Sequence, residues 1–209
     1  MTYAESIKFI VAMIIMMNPL GSLSIFLQLS SKLKLTRQRK LAITTTLSIA
    51  AIMIVTVWTG KGVLDLLGIT ISSFRCAGGI ILLLMGLSML QSKESPASYT
   101  PEDEEAAKER ESIAVVPMAL PVIIGPGAIS TLIIGAEDYP QLLSKSWMTV
   151  ICCLLALGMG LLLYFAAPIA KFVGASVIKV VTRIMGMLIM AIAVGMLADG
   201  LTGLLPILR

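Results

Sequence analysis

Two short segments rich in proline, glycine and hydroxyl residues interrupt two long apolar runs of this 209-residue chain. The first is Asn18-Pro19-Leu20-Gly21-Ser22, and the second is Gly125-Pro126-Gly127-Ala128-Ile129-Ser130-Thr131. A helix interrupted at membrane depth frees backbone N–H and C=O groups, and because lipid cannot satisfy them they must face protein or a water-filled cavity. Broken helices at corresponding positions of two halves are typical of the substrate site of a transporter.

The chemistry available at such breaks is hydrogen bonding to a small zwitterion. The N-terminus of a half-helix offers N–H groups and partial positive charge to a carboxylate, and the carbonyls that end the preceding half-helix accept from an ammonium group. Glycine lets a ligand approach the backbone closely. The predicted substrate-binding residues are Asn18, Pro19, Gly21, Ser22, Gly125, Pro126, Gly127, Ser130 and Thr131. The alternative is that each Pro-Gly pair only kinks a helix for packing.

The composition indicates a membrane protein. The chain is 57% hydrophobic and 13% charged, whereas a soluble domain is about 25% charged. Its apolar runs have roughly the 20 residues that a helix needs to cross a bilayer. Six such helices are predicted, over about residues 4–29, 41–58, 71–90, 113–135, 147–167 and 176–198, with the first broken near Pro19 and the fourth near Pro126.

The spacing of breaks and arginines predicts an internal repeat. Pro19 and Arg75 are 56 residues apart, and Pro126 and Arg183 are 57 apart. Because each unit crosses the membrane three times, the second unit must enter upside down relative to the first. The predicted fold is therefore an all-α membrane protein of six transmembrane helices in two inverted-topology three-helix repeats, with discontinuous first and fourth helices. The repeats span residues 1–91 and 113–209, joined by a polar cytoplasmic linker over residues 92–112.

Each arginine opens an Arg-x-x-Gly sequence, Arg75 with Gly78 and Arg183 with Gly186. An arginine near the start of an apolar run either snorkels to the interface or pairs with the carbonyls of a half-helix end and holds the break open. Glycine allows helices to approach closely at a repeat interface. We therefore predict gating or structural roles for these four residues rather than direct substrate contact.

The basic residues predict the orientation of the chain, because lysine and arginine in short loops remain cytoplasmic. Eleven of the sixteen fall on one side of the six-helix arrangement: Lys32, Lys34, Arg37, Arg39, Lys40, Lys93, Lys108, Arg110, Lys171, Lys179 and Arg183. Both termini are therefore predicted outside, in the periplasm, and the acidic linker inside.

Five stretches carry a resemblance to a known family: Asn18-Pro19-Leu20-Gly21, Ser73-Phe74-Arg75-Cys76-Ala77-Gly78-Gly79, Pro117-Met118-Ala119-Leu120-Pro121, Gly125-Pro126-Gly127-Ala128-Ile129-Ser130-Thr131 and Thr182-Arg183-Ile184-Met185-Gly186. Together they resemble the MarC/SnatA family of bacterial and archaeal inner-membrane proteins, over essentially the whole chain. The resemblance implies a transporter of small neutral amino acids, related to the LysE-type exporters, with glycine and alanine as typical substrates. It also implies coupling to an ion, a proton in preference to sodium.

Other function classes find less support in the residues. The chain has no histidine and no paired carboxylates in its apolar runs, so an enzyme, a metal site and a cofactor are not predicted, and no residue is assigned a catalytic role. Nucleic acid is not a predicted partner, since the basic residues flank apolar segments; the predicted partners are the zwitterionic substrate, the coupling ion and membrane lipid. A passive channel, an exporter of another small solute and a non-transport membrane interaction protein remain alternatives.

Overall fold

A computed structural model describes residues 1–30, 33–90 and 123–205, with only the backbone described for residues 28, 29, 170–176, 178 and 179. Within these ranges the regular structure is helical. The helices are α1 (Tyr3–Met17), α2 (Pro19–Ser30), α3 (Leu35–Leu66), α4 (Ile71–Leu90), α5 (Pro126–Asp138), α6 (Leu142–Tyr164) and α7 (Ala166–Leu204). The predicted linker 92–112 and the first half of the predicted fourth helix lie outside the described residues.

Five helical segments of the described chain are long and apolar enough to cross a membrane: Tyr3–Leu27, Leu35–Leu66, Ile71–Leu90, Leu142–Tyr164 and Val180–Leu204. Large apolar side chains are exposed along them, including Leu47, Leu154 and Val194, each more than half exposed. An apolar surface of this extent is unsuited to water and is the surface expected against lipid. The protein is accordingly a multi-pass membrane protein whose described regular structure is helical. The predicted third helix has the bounds of α4.

The predicted loop between the fifth and sixth helices is wrong. The sequence placed a break over about residues 168–175, but the chain turns at Phe165 and α7 then runs without interruption from Ala166 to Leu204. Pro168 lies in the first turn of α7, where its missing N–H would have had no intrahelical partner, so it does not end the helix. Lys171 and Lys179 are therefore in helical backbone that precedes the apolar window beginning at Val180.

A seam of glycines joins α4 to α7, the most extensively packed pair of helices. A Cβ added to Gly86 would lie 2.8 Å from the carbonyl oxygen of Gly186, and one added to Gly186 would lie 3.0 Å from that of Gly86. Toward the other end of the seam, a Cβ on Gly200 would lie 2.9 Å from the carbonyl oxygen of Ser72. The pairing of early residues of α4 with late residues of α7 makes the two helices antiparallel, and the missing side chains let their backbones touch.

The helix α3 packs on both α6 and α5. Gly160 of α6 lies against Thr46, and Gly60 of α3 lies against Ile133 of α5. The buried stripe of α3 recurs at helical spacing, through residues that include Ala42, Thr45 and Ile49. These contacts, together with the α4–α7 seam, place α5 and the segment that leads into it at Gly125 in the interior of the bundle.

Candidate functional site

The first break is a single residue in the left-handed region of the backbone. Asn18 has φ 43° and ψ 67° between α1 and α2, and its N–H donates to the carbonyl oxygens of Ile14 and Ile15, both at 3.2 Å. Asparagine tolerates this conformation better than other residues with a Cβ. Pro19 then begins α2, where its missing N–H costs no helical hydrogen bond. The predicted break in the first helix is therefore present.

The polar groups of this first break largely satisfy one another. The Gly21 N–H donates to Asn18 Oδ1 at 3.3 Å, so the Asn18 side chain caps α2. The Ser22 hydroxyl, almost fully buried, donates to the carbonyl oxygen of Met17 at 2.9 Å. A Cβ on Gly21 would overlap the Asn18 amide, with Asn18 Cγ only 2.8 Å away. The Asn18 side chain thus packs directly on Gly21, one of the predicted substrate-binding residues.

The second break differs because its helix starts without a side-chain cap. Ile123 and Ile124 are fully buried and lead into Gly125, which is extended at φ −72° and ψ 176° and caps α5 with no side-chain hydrogen bond. Pro126 occupies the first helical position. The first-turn N–H groups of a helix have no intrahelical acceptor, and here the cap residue has no side chain that could accept from them. Within the described residues, the first turn of α5 is thus a buried helix end without a side-chain cap.

The first turns of α5 are held tightly against α4. A Cβ on Gly127 would overlap the Leu82 side chain, with Leu82 Cγ at 3.0 Å, and a Cβ on Gly78 would lie 2.8 Å from Ser130 Oγ. Ser130 is buried. The Thr131 hydroxyl donates within the helix to the carbonyl oxygen of Gly127 at 2.9 Å. Gly78 therefore adjoins the second break, which the sequence did not indicate.

The end of α1 lies beside the first turn of α5. The position that a Cβ on Gly127 would take is 3.6 Å from the sulfur of Met16, and Met16 is two residues before Asn18. Further along the same helices, a Cβ on Gly135 would lie 3.3 Å from both the Phe9 ring and the end of Met148. The end of α1 and the first turn of α5 are therefore neighbours, although they are more than a hundred positions apart in the chain.

Arg75 lies far along α5 from the second break. Arg75 pairs through Nη2 with Asp138, at the opposite end of α5 from Pro126, and its Nη1 lies 3.6 Å from Asp199 Oδ2. Its partners are thus carboxylates, rather than the half-helix carbonyls that the sequence suggested. Arg183 lies on an exposed face of α7, and Gly186 lies in the α4–α7 seam.

Sequence reasoning missed the ionic cluster at this end of the bundle. Lys61 of α3 pairs with Glu137 of α5, beside the pair formed by Arg75 and Asp138. Glu137 Oε2 is buried and has no hydrogen-bond partner in the described part of the chain. The available signal was that these charges all fall near segment ends predicted on the same side of the membrane.

A cleft of about 280 Å³ lies at the other end, where α3 begins and α6 turns into α7. The Arg39 guanidinium stacks on the Tyr164 ring there, 4.9 Å from its centroid. The lining residues are Leu35, Gln38, Arg39, Leu163, Tyr164, Phe165, Ala166, Ala167 and Pro168. None of the predicted substrate-binding residues is among them.

Comparison with known proteins identifies a family but not an activity. The family model described as "MarC family integral membrane protein" matches residues 3–205. The chain is 33% identical to the UPF0056 membrane protein YhcE of Escherichia coli, covering 95% of this chain and 93% of that protein. It is 31% identical to the UPF0056 membrane protein MJ1677 of Methanocaldococcus jannaschii, covering 90% and 92%. No solved structure matches the chain.

Proposed function

The chain belongs to the MarC family of integral membrane proteins, and from that premise we propose that it is a secondary transporter of small neutral amino acids, glycine and alanine first among them. The observation that carries the proposal is the uncapped N-terminus of α5, buried beside the end of α1. Gly125 supplies no side-chain cap, while Met16, in the last turn of α1, adjoins Gly127. A buried helix N-terminus favours a carboxylate.

The ligand is small because the walls of this site are close. The side chains of Leu82 and Met16 occupy the space around Gly127, and Ser130 is packed on Gly78. The proposed ligand is therefore a backbone-sized zwitterion, whose ammonium group would meet the carbonyls at the end of α1, because a large side chain would require these helices to separate. Glycine and alanine fit this restriction better than leucine or lysine.

Alternating access would use the inverted repeat, for which the helix pairing offers support. The repeat relates α3 to α6 and α4 to α7, and each of these helices packs on its counterpart. The repeat also relates α5, which follows the second break, to α2, which follows the first. It therefore predicts that an α4–α5 contact is matched by an α7–α2 contact, and both contacts are present. Two related units that pack about an axis in the membrane plane can rock around a fixed central site.

The proposed location is the cytoplasmic membrane, with both termini in the periplasm. The N-terminal ammonium of Met1 donates to Ser144 Oγ at 3.0 Å, so the start of α1 and the start of α6 share one end of the bundle. The lysines and arginines that begin α3 lie at the opposite end, and basic residues of short loops remain cytoplasmic.

The proposed coupling ion is a proton. Transport requires a group that can take up a proton and release it, and carboxylates commonly serve this purpose in membrane proteins. Among the described carboxylates, Glu137 combines an ion pair to Lys61 with a second oxygen that is buried and unpartnered. It also lies on α5, the helix whose first turn would hold the substrate carboxylate.

Uptake into proteoliposomes tests the proposal. Purified protein should accumulate labelled glycine above equilibrium when a pH gradient is imposed, and a protonophore should abolish the accumulation. A sodium gradient alone should not drive it. Equilibration without accumulation would indicate a passive channel, and no protein-dependent flux of glycine or alanine would overturn the proposed substrate class.

A further inference from the structure

The cleft between the start of α3 and the α6–α7 turn contains an arginine that the proposed transport site does not use. Three of the lining residues have polar side chains, namely Gln38, Arg39 and Tyr164, and the others are apolar. The Arg39 guanidinium lies over the Tyr164 ring, 4.9 Å from its centroid, within the range of a cation–π interaction. Gln38 Nε2 already donates to the Ser30 carbonyl oxygen at 3.0 Å and to Ser30 Oγ at 3.1 Å. Arg39 is therefore the charged donor of the cleft.

The contact with Tyr164 orients Arg39 without using its hydrogen-bond donors. A guanidinium that lies on an aromatic face keeps N–H groups along the edges of its own plane, and these match the oxygens of a phosphate in a bidentate manner. Within the described part of the chain no carboxylate pairs with Arg39, since the ion pairs there are formed by Lys61 and Arg75. The cleft thus contains an oriented cation whose donors can bind an anion.

The chain segments that form the cleft are basic. Residues 33–64 and 139–198, which contribute all of the lining, contain no aspartate and no glutamate. Four basic residues lie at the start of α3: Lys34, Arg37, Arg39 and Lys40. This local excess of positive charge favours an anionic ligand over a zwitterionic one.

The cleft lies where the apolar spans meet water. Tyr164 ends the span Leu142–Tyr164, and Leu35 begins the span Leu35–Leu66. Tyrosine is enriched at this depth in membrane proteins. Leu35 and Phe165 line the cleft and are themselves exposed, so apolar surface borders the basic side chains. A ligand with an anionic head and an apolar body complements both parts.

We propose that this cleft binds the phosphate headgroup of an anionic phospholipid from the adjoining leaflet. Arg39, held by Tyr164, donates to the phosphate oxygens, and the acyl chains lie along the apolar surface beside Leu35 and Phe165. Basic pockets between membrane helices bind anionic headgroups in this way. The cleft, of about 280 Å³, is near the lower limit of about 300 Å³ for ligand pockets, so it holds the headgroup and not the whole lipid. The lipid site is separate from the proposed substrate site and does not depend on it.

Native mass spectrometry of the purified full-length protein tests the site with dioleoyl phosphatidylglycerol, and with dioleoyl phosphatidylcholine as the zwitterionic comparison. The parent protein should bind one phosphatidylglycerol molecule about tenfold more tightly than phosphatidylcholine. Arg39→Gln should weaken phosphatidylglycerol binding about tenfold, because a charge-assisted interaction is lost, and should leave phosphatidylcholine binding unchanged. Tyr164→Phe, which keeps the ring, should retain the parent affinity, whereas Tyr164→Leu should weaken it.

Two neighbouring basic residues provide matched controls. Arg37→Gln and Lys40→Gln remove the same charge from the same part of α3, but neither residue lines the cleft, so each should weaken binding by no more than about twofold. If Arg39→Gln does not fold, Arg39→Lys should still bind phosphatidylglycerol more weakly than the parent, since lysine keeps the charge but not the planar fork.

Three results would overturn the proposal. The first is equal affinity of the parent protein for the two lipids, or equal phosphatidylglycerol affinity in the parent and in the Arg39 variant. The second is a loss in the Arg37 and Lys40 variants as large as that in the Arg39 variant, which would show attraction by diffuse charge. The third is displacement of phosphatidylglycerol by an equal concentration of inorganic phosphate, which would show a site for a free anion rather than for a lipid.

Discussion

Asn18 performs two separable tasks at the first break, and replacing it tests both. Its backbone occupies the left-handed region at φ 43°, and its side chain caps α2 through the Gly21 N–H. Asn18→Gly removes the cap but adopts the left-handed conformation freely. Asn18→Ala removes the cap and also places a Cβ in a conformation that disfavours it.

The magnitudes follow from these two terms. Loss of an asparagine cap to alanine costs about 1 kcal/mol, while loss to glycine costs a few tenths. The left-handed conformation costs alanine about 1 kcal/mol more. Asn18→Ala should therefore lose about 2 kcal/mol of stability, a fall of about 4–8 °C in melting temperature for a chain of this size, and Asn18→Gly a fraction of that.

Thermal unfolding in detergent, followed by intrinsic fluorescence, measures the difference. Glycine uptake in proteoliposomes should follow the same order, because the break keeps its geometry in Asn18→Gly and is strained in Asn18→Ala. Equal melting temperatures for the two variants would refute a left-handed Asn18. A glycine variant less stable than the alanine variant would refute it more strongly.

Three further tests address the second break, the ionic cluster and the orientation. Gly127→Val should reduce glycine uptake at least tenfold, because its side chain overlaps Leu82 and overpacking costs about 1–3 kcal/mol. The control Gly158→Val, whose Cβ has nothing within 4 Å, should leave uptake unchanged. Unchanged uptake in both variants would contradict a tight site at Gly127. In a protein whose other two cysteines are replaced by serine, Arg75→Gln should speed labelling of Cys76 by an impermeant maleimide, because it breaks the ion pairs to Asp138 and Asp199. An unchanged labelling rate would contradict the predicted gating role of Arg75. Alkaline phosphatase fused to the C-terminus should be active. An inactive phosphatase fusion together with a fluorescent C-terminal fluorescent-protein fusion would contradict the proposed topology.

Local sequence was sufficient for the membrane class and for most of the helices. A long apolar segment in lipid must be helical because its backbone groups can only bond within the segment, so residues 71–90 could be assigned directly. The break at Asn18 was equally local, since a residue before proline is disfavoured in the helical region. The difference between the breaks was also visible in principle: asparagine precedes Pro19, whereas glycine, which has no side chain to cap with, precedes Pro126.

The sequence misplaced one boundary, because that boundary depends on where an element ends within the bundle. Residues 168–175 were predicted to separate two helices, but Pro168 lies in the first turn of α7, where it is compatible with a helix. The role of Gly21 in ligand binding stays a prediction, and the structure adds that the Asn18 side chain packs on Gly21.

Only the tertiary structure decided which distant residues meet. From the sequence, Gly86 could have packed against many positions of α7, but in the structure it packs against Gly186. Likewise, Arg75 could have paired with a helix-end carbonyl, but it pairs with Asp138, 63 residues away. Of the three consecutive threonines 44–46, Thr45 alone is fully buried, and its hydroxyl has no hydrogen-bond partner among the described residues. The physical reason is that helix formation depends on hydrogen bonds four residues apart, whereas the register between two helices depends on packing summed over their whole interface.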